Sequence, residues 1–112
     1  SEAIDRYLDT LGMIEKMTPD KRKDLKAFNN KIRSYYFQIY RFFSRHNDRK
    51  NAMHAMERAE KHLPMDAGIK VAIGDIYYKE GIIFKALEKY DHALLLQPDN
   101  QRALKMIKKI NQ

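Results

Sequence analysis

The stretch from Lys70 to Pro98, KVAIGDIYYKEGIIFKALEKYDHALLLQP, decides the fold. Sliding the chain by 34 residues brings Pro64 onto Pro98 and a second, weaker copy into register with it. Ala52 falls on Ala86, Met56 on Tyr90, Ala59 on Ala93, Phe43 on Tyr77, Ile39 on Ile73 and Asn47 on Gly81. Small residues meet small ones, large apolar residues meet large ones, and the two residues that best tolerate a left-handed backbone meet each other. A 34-residue period of this composition marks a stacked helix-turn-helix array, in which each unit buries its apolar face against its neighbours. Such arrays are binding surfaces and seldom enzymes.

In the second copy, Lys70, Ile73, Gly74, Tyr77, Gly81, Ala86, Tyr90, Ala93 and Pro98 have the spacing of the tetratricopeptide repeat, and this part of the chain resembles that family. Lys70 stands where the family has Trp. The first copy, Tyr36, Ile39, Tyr40, Phe43, Asn47, Ala52, Met56, Ala59 and Pro64, is similar but degenerate. Its Tyr40 takes the place of the family's Gly and should push the two helices of that unit apart locally or point outward. The resemblance implies an all-α fold of antiparallel helix-turn-helix repeats in a right-handed superhelical stack. The organisation expected is an N-terminal helical extension over 1–32, a degenerate repeat over 33–66, a repeat over 67–100 and a capping helix over 101–112, all in one structural domain.

Along the chain, Ile4, Tyr7, Leu8, Leu11 and Ile14 recur at helical steps and predict a first amphipathic helix over 2–17. Thr18 and Pro19 form a start signal for a second helix, which the apolar series from Leu25 to Phe43 carries without Gly or Pro to about residue 46. Asn47 ends it and Asp48 caps the next, over 49–62. A turn at 63–66 leads to a helix ending at Gly81, and further helices follow over 84–96 and 101–110. In the last, Ala103, Leu104, Ile107 and Ile110 are expected inside and Lys105, Lys108 and Lys109 in solvent. Two repeats are fewer than the three usually needed for a stable stack, so the first helix is expected to pack on the second and cover the open end.

Composition limits the alternatives. With 112 residues, 44% hydrophobic and 33% charged, the chain suits one soluble helical domain. No apolar run is long enough to span a bilayer or to serve as a signal peptide, so a cytoplasmic location, or loss of a targeting segment, is the default expectation. The abrupt helical start at Glu2 suggests a piece of a longer protein. No cysteine is present, which excludes disulfides, cysteine-based zinc sites and thiol catalysis. The four histidines are scattered, no phosphate-cradling or dinucleotide motif is found, and Glu57 and Glu60 read as solvated charge beside Arg58 and Lys61. No cofactor, metal or catalytic activity is expected.

In the tetratricopeptide family the first helix of each unit lines a channel that grips a partner peptide or helix. Carried over by the resemblance, that lining is Ser34, Phe37, Arg41, Ser44 and Arg45, then Gly68, Val71, Asp75, Tyr78 and Lys79, then Arg102, Lys105 and Lys109. It is basic with Asp75 the one acid, and suits an acidic protein segment bearing one or two large apolar anchors. The positions that hold carboxyl-terminal tails in some members carry Phe37 and Arg41, Asp75, and Arg102 and Met106, so tail capture of that kind is not expected. The net charge of +7 admits a second class of partner, nucleic acid or an anionic surface. The excess is spread, however, with 7 basic against 6 acidic residues over 1–32, 7 against 4 over 33–66 and 8 against 5 over 67–112. Self-association is a third reading, the chain being expected as a monomer or a weak homodimer.

Overall fold

The protein, described by a computed structural model, is all-α. Residues 25–112 are described continuously, together with Asp5, Arg6, Asp9, Thr10, Gly12, Met13 and Lys16, which are helical. The bounds expected for the first helix and the start expected at Thr18 and Pro19 lie outside these residues. Five helices follow: α1 Leu25–Arg45, α2 Arg49–His62, α3 Ala67–Lys79, α4 Ile83–Leu96 and α5 Gln101–Ile110. Among the described residues no helix is long and apolar enough to cross a membrane.

The chain forms two compact units, 1–55 and 56–112, and the boundary falls inside α2. In the first unit, α1 buries Ile32, Tyr36, Ile39 and Phe43, steps of four, three and four that keep one stripe inward. Tyr40 is half-buried, with its ring edge-on to Phe37 at 6.0 Å between centroids. In the second unit α3 packs on α4 and α4 on α5. Val71, Tyr90, Met106 and the alanines at 67, 86, 93 and 103 form its core, flanked by Tyr77, Tyr78, Leu94, Leu96, Ile107 and Ile110. α3 is apolar nearly all round, as a helix covered on most sides must be.

The 34-residue period is written into the backbone hydrogen bonds. Asn47 has φ 56° and Gly81 has φ 79°, so both adopt the left-handed conformation at the end of a helix. The Asn47 amide donates to Ser44 O at 3.2 Å and the Asp48 amide to Phe43 O at 2.9 Å. The Gly81 amide donates to Tyr78 O at 3.0 Å and the Ile82 amide to Tyr77 O at 2.9 Å. These are two Schellman caps, bond for bond. The second turn repeats as well: Leu63 to Ala59 and Gln97 to Ala93, both at 2.8 Å, then Asp66 to Leu63 at 3.2 Å and Asn100 to Gln97 at 3.0 Å. Asp66 then caps α3 by accepting from the Ile69 amide at 3.1 Å, and Asn100 caps α5 by accepting from the Ala103 amide at 2.9 Å.

Within α5 one residue departs from expectation. Leu104 is not inside but 44% exposed, while Met106 is buried beside Ala103. Ala103, Met106, Ile107 and Ile110 make the inward stripe by steps of three, one and three, and Leu104 falls outside that arc.

Candidate functional site

Gly74, in the middle of α3, sets the geometry of the second unit. A Cβ at this position would come within 2.8 Å of the Tyr90 ring, so the absence of a side chain is what lets that ring lie close against the helix. Seated there, Tyr90 on α4 donates its hydroxyl to Asp75 Oδ1 at 2.5 Å. Arg102 on α5 reaches the same carboxylate, with Nη2 at 3.3 Å from Oδ1 and Nε donating to Oδ2 at 3.3 Å. Asp75 is thus engaged from two other helices, and its charge is spent on holding them.

One turn further along α3 and two along α5, the Lys109 ammonium lies 5.4 Å from the centroid of the Tyr78 ring. The contacts 75 with 102 and 78 with 109 run in the same order, so α3 and α5 present a common seam. Lys79, one turn after Asp75 on α3, and Lys105, one turn after Arg102 on α5, flank it, and both are exposed. Because Asp75 is already matched by Arg102, the remaining cations, Lys79, Lys105 and Lys109, have no acid of the expected lining among them. Of the residues expected to line the groove in this unit, Val71 stands apart: at 8% exposure it belongs to the core.

In the first unit, Phe37, Arg41 and Arg45 follow one another at steps of four along α1, with the two arginines exposed. Arg33, one step earlier, stacks its guanidinium 4.5 Å from the Phe37 ring centroid and completes the stripe. Arg33 is absent from the lining that the resemblance implies, although its four-residue spacing from Phe37 signals the pair.

Glu60 departs from the solvated charge expected of it. It is largely covered, and its carboxylate accepts from Lys70 Nζ at 2.7 Å and from Lys89 Nζ at 3.0 Å, tying α2 to α3 and α4. Burial pushes its proton affinity up, but the hydrogen bonds and charges of the two lysines outweigh that and hold the carboxyl below the ordinary glutamate value of 4.5. Lys70 falls 34 residues after Tyr36, which is fully buried. A lysine at so covered a place requires a carboxylate, and the 34-residue register itself carries that requirement.

The histidines have local employment where contacts are defined. His46 Nδ1 donates to Phe42 O at 2.8 Å at the end of α1, and its ring packs on Phe42 with centroids 4.3 Å apart. Among the described residues no group of three His, Asp or Glu side chains is placed to hold a metal ion. Set against protein-family models and curated proteins, the chain matches none.

Proposed function

We propose that this chain is a non-catalytic, tetratricopeptide-like interaction module, an adaptor or scaffold whose α3–α5 seam takes an acidic segment of a partner protein. The observation that carries the reading is the fixing of Asp75 by Tyr90 and Arg102, which leaves Lys79, Lys105 and Lys109 as a cationic rim of the seam, with Lys109 over the Tyr78 ring. Carboxylates of an incoming segment would be steered by the rim, and an apolar side chain would rest on Tyr78, displacing a Lys109 contact worth only about 0.5–1 kcal/mol at an exposed site. The recurrence of caps and turns at 34 residues supports the family reading. The stripe Phe37, Arg41 and Arg45 on α1 has the same chemistry and is proposed as a contact surface of the first unit in its own right.

Titration calorimetry with a synthetic peptide rich in Asp and Glu and carrying one Phe tests the reading. Reversing Arg102, Lys105 and Lys109 to Glu should weaken binding by about tenfold or more, with the loss growing as salt is lowered. Equal affinity for the reversed variant would refute the seam. Tight, steeply salt-dependent binding of a DNA or RNA oligonucleotide that the peptide fails to displace would favour the nucleic-acid alternative.

A further inference from the structure

Four solvent-facing positions of α4 line up along the helix at steps of four, three and four: Phe84, Glu88, Asp91 and Leu95. All are exposed, Phe84 at 81% and Leu95 at 80%, and they lie roughly opposite Ala86, Tyr90 and Ala93, the face that packs in the core. Large apolar side chains in water at both ends of a helix contribute nothing to its folding.

The first copy supplies an internal control. Its equivalent positions, 34 residues earlier on α2, are Lys50, His54, Glu57 and Lys61, and each is exposed as well. The repeat therefore makes no demand for apolar residues at these places. A second difference lies just before the stripe. Asp48 caps α2 by accepting from the Asn51 amide at 3.1 Å, whereas its counterpart Ile82 gives α4 no side-chain cap and is itself exposed, as is Ile83. The second copy forgoes a cap worth about 1 kcal/mol and extends the apolar end instead.

We propose that this stripe docks a basic amphipathic helix of a partner protein, with apolar anchors meeting Phe84 and Leu95, about 16 Å apart, and Lys or Arg between them meeting Glu88 and Asp91. Charge decides the occupant. Two copies paired stripe to stripe would crowd four carboxylates together, which opposes that association. The flanking groups are His92 and Lys85, and Lys89 is already bound to Glu60. The chain as a whole carries +7 and repels a cationic ligand at long range, so binding of one would report this local surface. The stripe is independent of the α3–α5 seam, which has the opposite sign.

The test uses the intact chain and two helix-forming peptides of about 14 residues with the same apolar positions, one with Lys and one with Glu between them. The Lys peptide should bind and shift the α4 amide NMR signals, whereas the Glu peptide should leave those signals unmoved. The pair Phe84→Lys and Leu95→Lys, which installs the first copy's residues, should weaken the Lys peptide by about tenfold or more while its melting temperature shows an intact fold. In the pair Glu88→Lys and Asp91→Lys the Glu peptide should become the one that shifts α4. The seam variant reversed at Arg102, Lys105 and Lys109 should keep the Lys peptide, so the two sites fail or succeed separately. No binding by the Lys peptide, or binding indifferent to both pairs of substitutions, overturns the proposal. So does light scattering in which the free chain grows in mass with concentration and the Phe84→Lys chain does not, since the occupant is then a second copy.

Discussion

Asn47 and Gly81 end their helices with the same two hydrogen bonds, while Lys50 and Phe84, both exposed in their two copies, share no chemistry at all. The contrast separates what the fold requires from what it leaves open. At the left-handed turn and along the buried face of α2 and α4 the copies agree: Asn47 and Gly81 share positive φ, and Ala52 and Ala86, Ala59 and Ala93, and Met56 and Tyr90 are buried alike. At solvent positions they diverge, and the divergence is free to serve a partner.

The largest effect should come from crossing the copies at a core pair. The second copy holds Gly74 with Tyr90, and the first holds Tyr40 and Met56 at the same places. Gly74→Tyr alone drives a ring into Tyr90 and should cost about 3 kcal/mol or more. Combined with Tyr90→Met it should cost clearly less than the two single changes added, in a denaturation cycle. Additive costs would mean that the two positions are independent.

Next in size is the ion cluster that ties α2 to α3 and α4. Glu60→Gln strands two largely covered ammonium groups and should lower stability by about 1–2 kcal/mol near neutral pH. Because the folded carboxyl titrates below its unfolded value, this contribution is fully present above about pH 4.5 and is lost as pH falls through the lower folded value. Unfolding curves measured from neutral to acid pH should therefore converge for parent and variant at the acid end.

The turns give smaller, opposite changes. Gly81→Ala places a Cβ in the left-handed region and should cost about 1 kcal/mol, whereas Asn47→Gly should be neutral or stabilise by about 0.5 kcal/mol. Ile82→Asp, which transplants the cap of Asp48, should stabilise by about 0.5–1 kcal/mol in thermal melts. The smallest change is expected from Phe84→Lys with Leu95→Lys, within about 0.5 kcal/mol, because both side chains are largely exposed.

Much of the frame is legible in the chain. Turn and cap residues act on backbone within a few residues of themselves, so Asn47, Asp48 and Gly81 announce their roles, and the turns at 63–66 and 97–100 set bounds of α2 and α5. What depends on neighbouring helices is not legible. Glu60 looks like surface charge because its partners lie 10 and 29 residues away, and Asp75 looks like a groove acid because Tyr90 and Arg102 are 15 and 27 residues away. Leu104 and Met106 exchange places because a short helix offers several apolar arcs, and only packing against α4 selects one. Of the candidate site, the cations stand out in the sequence, but nothing local marks Val71 as core.

Whether the second unit meets a partner through the α3–α5 seam is tested most directly by amide chemical-shift mapping of the intact chain with the acidic, Phe-bearing peptide. Docking at the seam predicts saturable shifts centred on Tyr78, Lys79, Arg102, Lys105 and Lys109, with the amides of Phe84 to Leu95 unmoved. Shifts centred on α4, or none at concentrations where the peptide is in large excess, would contradict it.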